Sequence, residues 1–139
     1  MFLVTGTVLM LVGVIGHAAL FSLGAILPGV LTPLILIWGG GVLLLLSAAH
    51  YFVARVSALQ MSAVLAAITL ALVLAGMAFC FASARSMEAQ LDSAVPTGDA
   101  IVPLIISSAL CGVAALTTFV INVILTLRKR RYLIAVSAA

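Results

Sequence analysis

The stretch Met61–Ala84, MSAVLAAITLALVLAGMAFCFASA, runs for 24 residues without a charged side chain. Wound as a helix it is about 36 Å long, enough to cross a hydrocarbon core of roughly 30 Å. Each unsatisfied backbone group in lipid costs several kcal/mol, so a spanning segment must be a helix or a strand of a closed barrel. A barrel strand is about ten residues long and alternates apolar with polar side chains. This run is longer and continuously apolar, which predicts a transmembrane helix.

Three further runs on either side read the same way: Phe2–Leu27, Leu34–Ala54 and Ile101–Leu127, none containing Asp or Glu. The first lacks a basic leading segment and exceeds the apolar core of a signal peptide, so it is expected to be a retained span. Composition agrees, with 66% hydrophobic and 6% charged residues against about 25% charged in soluble domains. The mean hydropathy is +1.47. The expectation is an all-α integral membrane protein, an antiparallel bundle of four transmembrane helices with short loops. The 139 residues form a single domain, leaving no room for a separate soluble one, and end in a basic cluster and short apolar tail at 128–139.

The connections set the topology. Pro28–Pro33 reads as a six-residue turn whose prolines stop one helix and start the next. Arg55–Gln60 is an equally short turn, so successive spans are expected to be antiparallel neighbours. In the Arg85–Asp99 loop, Met87, Leu91 and Val95 recur every four residues, which predicts that the third helix continues past the bilayer. Asp99 is the expected N-cap of the fourth helix, with Pro103 in its first turn.

Of the six basic residues, Arg55, Arg128, Lys129, Arg130 and Arg131 share the side of the termini, and Arg85 stands on the other. The positive-inside rule then places both termini on the cytoplasmic or equivalent side, of a plasma membrane or a mitochondrial inner membrane for example. Arg128–Arg131 reads as a stop-transfer cluster. It is compatible with anionic lipid head groups, at about 1 kcal/mol per basic residue. Nucleic acid is not an expected partner, because no soluble domain offers it a basic face. The tail Tyr132–Ala139 is too short to span and is expected to lie at the interface or dock on another protein.

Apolar helices gain little from touching one another in lipid, so small and polar residues mark the contact faces. On the first span Gly6, Gly13 and Gly24 share a face with His17. On the second, Gly39 and Gly40 lead the triple glycine, with Trp38 beside them as an interface anchor. On the third, Ala63, Ala67, Ala71 and Ala75 form small-xxx-small steps, and Gly76, Ala78 and Ala82 extend the small character. On the fourth, Ser107, Cys111, Ala115, Thr118, Asn122 and Thr126 form one stripe, where Asn122 is read as an interhelical hydrogen bond.

Signs of chemistry are sparse. His17 and His50 are the only titratable candidates within spans, and a haem held by both is disfavoured by depths that differ by roughly 9–12 Å. Cys80 and Cys111 read as small apolar residues, with no metal-ligand spacing. No acid or lysine lies inside a span, as ion-coupled transport normally requires. No nucleophile triad, HExxH or phosphate loop is present. The expectation is no enzyme, no catalytic or metal site, and no cofactor beyond structural lipid.

Pro33-Leu-Ile-Leu-Ile-Trp38-Gly39-Gly40-Gly41, followed by Leu46-Ser47-Ala48-Ala49, resembles the start of the second span in the membrane-spanning four-domain subfamily A. That family includes the B-cell surface antigen and the Fc-receptor beta chain. Gly16–Leu27 is similar to the family's first span, so the resemblance covers Met10–Ala54. Within these 139 residues there are no long tails, and the Arg85–Asp99 loop has no cysteine pair. These departures touch the signalling and loop features of the family. The resemblance implies a non-enzymatic tetraspan that oligomerises and modulates partner proteins.

Absent chemistry and a packing face on every span point first to an accessory subunit that helps assemble a larger membrane complex, such as a bioenergetic one. Its partners would be membrane lipids and other membrane subunits. A self-associating tetraspan, forming homo-oligomers, is the second reading. A small transporter or channel using the fourth-span stripe is the third.

Overall fold

A computed structural model describes residues 1–22, 28–92 and 101–137. They form α1 (Phe2–Ser22), α2 (Pro28–Ser57), α3 (Ala63–Asp92) and α4 (Ile101–Ser137), with no strand among the described residues. All four are long and apolar enough to cross a membrane. The chain is an integral, multi-pass, all-α membrane protein.

The second helix starts earlier than the prolines suggest. Pro28–Pro33 is not a turn: α2 begins at Pro28, and Pro33 lies inside it. Proline suits the first helical position, where the missing N–H has no partner in any case. Pro33 removes one internal bond, a loss that transmembrane helices tolerate when a neighbour packs on the site. Here α1 supplies that neighbour. Trp38 consequently stands ten residues, about 15 Å, inside α2 rather than at its start. Gly24 and Asp99 lie outside the described residues.

The expected end of the first span at Leu27 lies outside the described residues, and α3 and α4 run beyond Ala84 and Leu127. α3 continues to Asp92, past Met87 and Leu91 of the segment read as a helical prolongation, and Val95 lies outside the described residues. α4 is one helix of 37 residues that carries the basic cluster and the apolar tail as far as Ser137.

α1 packs mainly along α2, and α3 along α4, while α2 joins the two pairs chiefly through α3. Both pairs are antiparallel. Gly6 of α1 faces Gly40 of α2, and Gly13 faces Pro33 and Ile37. In the second pair Ser62, at the head of α3, meets Asn122, and Gly76 meets Cys111. A small core of Phe2, Leu43 and Leu70 joins the start of α1 to α2 and α3. Phe119, midway along α4, reaches the same level through its contact with His50.

The α1–α2 seam depends on absent side chains. A β-carbon on Gly13 would sit 2.8 Å from the Pro33 carbonyl oxygen, and one on Gly40 would sit 2.7 Å from the Gly6 carbonyl oxygen. Both distances are too short for a carbon, so glycine lets the two backbones meet.

Candidate functional site

The most constrained polar site is the turn between α2 and α3. Ala58 follows the last residue of α2 with φ of 55°, a left-handed conformation that glycine usually supplies at a helix C-terminus. Ser57 stabilises the turn: its Oγ accepts from the Leu59 N–H at 3.3 Å and lies 3.2 Å from the Leu59 carbonyl oxygen. Ser62 then caps α3, its Oγ accepting from the Leu65 N–H at 3.5 Å and its carbonyl from the Ala66 N–H at 3.0 Å.

Asn122 reads the backbone of that cap. Its Oδ1 accepts from the Ser62 N–H at 2.9 Å, and its Nδ2 donates to the Ser62 carbonyl at 3.1 Å. The side chain is 1% exposed. The Thr126 hydroxyl donates to the Asn122 carbonyl at 2.8 Å, one helical turn on. The amide expected to bridge helices therefore does so, with a turn backbone as its partner. Ala115, Asn122 and Thr126 of the α4 stripe are buried, which puts that stripe in the interface.

A second polar contact ties α3 to α4 further along. The Ser108 hydroxyl donates to the Gly76 carbonyl at 3.0 Å. Its lone pair is left to accept from the Cys80 thiol, 2.9 Å away. Cys111 packs against Gly76, its Cβ 3.4 Å from where a β-carbon on that glycine would stand. Ser108 was not among the expected packing residues, whereas Gly76 belongs to the small-residue character read on the third span. A serine one turn from a glycine across the interface is a signal only when the register of the two helices is known.

The histidines occupy separate places. His50 lies between Phe2 and Phe119, with ring centroids 4.9 and 5.2 Å away. Its Nδ1 is 3.2 Å from the Leu46 carbonyl, while its buried Nε2 has no hydrogen-bond partner. His17 is half-buried, and its Nδ1 is also buried without a partner. Because His50 contacts the Phe2 ring, it is 15 residues, about 22 Å along α1, from His17. The separation exceeds the depth difference read from the sequence, and the two rings cannot share one ligand. Among the described residues no three of His, Cys, Asp and Glu come together.

Between α2 and the α3–α4 pair runs an open cavity of about 410 Å³. Trp38 and Val42 line it on α2, Leu72 and Met77 on α3, and Gly112 and Leu116 on α4. Cys80 and Ser108 in the lining are bonded to one another, so it presents mostly hydrocarbon. Gly39, an expected packing residue, faces Met77 across this seam. Gly41 and Gly112 have open space where a side chain would stand.

Two expected packing residues do not enter the internal contacts. Ala67 and Ala71 lie on the exposed side of α3, and Ala75 is half-buried, whereas Thr69, Leu70, Gly76 and Met77 are buried. The charged residues stay at the ends. Arg55 donates to the Tyr51 hydroxyl at 3.4 Å, and Arg85 pairs with Glu88 at 3.3 Å. Arg128, Lys129, Arg130 and Arg131 are all exposed.

No protein-family model, no curated protein and no solved structure matches this chain.

Proposed function

We propose that this chain is a non-catalytic structural subunit of a larger membrane protein complex, of the kind found in bioenergetic assemblies. The observation that carries the reading is the incomplete closure of the bundle. α1 leans mainly on α2, and an apolar groove stays open between α2 and the α3–α4 pair. Most hydroxyl, thiol and amide groups within the helices are meanwhile engaged in holding helices and turns. Asn122 holds Ser62, Ser108 holds Gly76 and Cys80, and Thr69, Thr117 and Thr118 each bond a carbonyl of their own helix. Such a chain offers surface rather than chemistry. Positive-inside puts the end that carries Arg55 and Arg128–Arg131 on the cytoplasmic or equivalent side.

Extraction in mild detergent tests the reading. Co-purification of other membrane subunits in fixed ratio is expected. A stable monomer without partners would refute it.

One observation favours the self-associating tetraspan of the family resembled by Met10–Ala54. Ala67 and Ala71 present a small-residue surface outward on α3, and Gly41 and Gly112 are bare. Cross-linking in membranes would then give homo-oligomers, and finding hetero-partners alone would remove this reading. Nothing comparable favours transport: Asn122 is bonded at both ends of its amide and does not line the groove.

A further inference from the structure

The last part of α4 stands apart from the other helices, and its charges have a particular arrangement. Arg128, Lys129, Arg130 and Arg131 lie within the continuous helix Ile101–Ser137. Successive helical residues turn by about 100°, so four in a row point to every side and form a ring rather than a face. All four are exposed, and among the described residues the one ion pair is Arg85 with Glu88. Glu88 and Asp92 stand near the far end of α3, at the opposite end of the bundle from the ring. None of the described residues supplies the ring with a counter-charge.

Height narrows the source. Asn122 is level with the α2–α3 turn through its bonds to Ser62. Arg128 is six residues further along α4 than Asn122, about 9 Å, and Arg131 is nine residues further, about 14 Å. The polar layer outside the hydrocarbon core adds roughly 5–8 Å on each side, so the ring's long side chains reach the head groups. Tyr132, the next residue, is exposed where aromatic side chains favour the interface. A docked protein contacts one side of a helix, whereas a lipid leaflet surrounds it.

We propose that the ring Arg128–Arg131 is a binding site for anionic phospholipid, drawing acidic head groups around α4 on every side. The proposal stands independently of the subunit reading, since it needs no protein partner.

The test uses the full chain in nanodiscs of phosphatidylcholine with and without phosphatidylglycerol. The readout is the lipid retained after detergent release, measured by native mass spectrometry. Lys129→Gln with Arg130→Gln removes two charges and keeps Arg128 and Arg131 at that end. The wild-type chain should retain phosphatidylglycerol well above its bulk ratio. The double variant should bind it about 30-fold more weakly, from the contribution of two surface basic residues. The enrichment should also fall as added salt shortens the screening length from roughly 10 Å at 0.1 M to 3 Å at 1 M. Retention at the bulk ratio, or enrichment unchanged in the double variant, would overturn the proposal. So would a double variant that loses a protein partner while its lipid ratio is unaffected.

Discussion

Replacing Asn122 by leucine is the sharpest perturbation of this fold, because one side chain secures the turn between α2 and α3. Leucine is similar in size and suits the apolar surroundings, so the change removes two hydrogen bonds, of 2.9 and 3.1 Å, with little loss of packing. A net intramolecular hydrogen bond contributes about 0.5–1.5 kcal/mol. Interhelical bonds measured in membranes average about 0.6 and reach about 1.7 kcal/mol. Two such bonds give an expected loss of about 1–3 kcal/mol. The upper part of that range applies if the Ser62 N–H and carbonyl stay buried without new partners, since an unsatisfied buried group costs more than a lost bond.

Equilibrium unfolding in mixed micelles reads the total. Amide exchange at Ser62 reads the mechanism, because that N–H is the group Asn122 protects. Asn122→Asp separates the two bonds, since a carboxylate can still accept from Ser62 N–H but cannot donate to its carbonyl. Its exchange protection should fall less than that of the leucine variant. Unchanged stability together with unchanged Ser62 exchange in Asn122→Leu would refute the assignment of Asn122 as the clamp of this turn.

Ser108→Cys should form a disulfide with Cys80 on mild oxidation, because the atoms it would join are 2.9 Å apart, and a mobility shift on non-reducing gels in a Cys111→Ser background reports it. Gly40→Leu should cost about 1–3 kcal/mol by forcing the α1 and α2 backbones apart, whereas Gly41→Leu, which meets nothing within 4 Å, should stay within about 0.5 kcal/mol; unfolding titrations compare the pair. Ala58→Gly should stabilise the chain by about 0.5–1 kcal/mol by relieving a left-handed alanine, read by the same titration. Trp38, the single tryptophan, should be quenched most by lipids brominated mid-chain, and strongest quenching by bromines near the head group would show that it lies at the surface.

Some of this was legible in the sequence because lipid restricts what a chain can do. Four charge-free runs of spanning length have one solution, and the helices are where those runs are. Gly6 and Gly13 on α1 could be read because glycine is rare enough in that span to mark a single face. The polar stripe on α4 was readable for the same reason. On α3 the signal fails: alanine and glycine occur on several faces, and the Ala63–Ala71 row that looks most regular is the exposed one. The inward face is chosen by the partner's shape, with Gly76 receiving Cys111 and Met77 filling the space at Gly39. Pro33 misled for a different reason. The rule that proline breaks helices assumes a helix surrounded by water, and here a glycine of the neighbouring helix sits against the break.

The seams of this bundle differ in kind, and the difference bears on what it can do. α1 and α2 meet through backbone contact at Gly6, Gly13 and Gly40, which allows little sliding without steric cost. α3 and α4 are joined by directional bonds at both the Asn122 and Ser108 levels. α2 and α3 meet through Gly39 with Met77 and a small apolar core, and lipid tails solvate such surfaces as well as the protein does. Among the described residues, the seam without glycine-to-backbone contact or an interhelical hydrogen bond is the one between the two pairs, and the open groove runs along it. Any helix or lipid that binds there would strengthen the weakest junction of the fold. Locking that junction, for example through a cysteine pair replacing Gly39 and Met77, should leave each pair intact and raise the stability of the whole. If it instead disrupted the α3–α4 contacts at Ser108, the division into two pairs would be wrong.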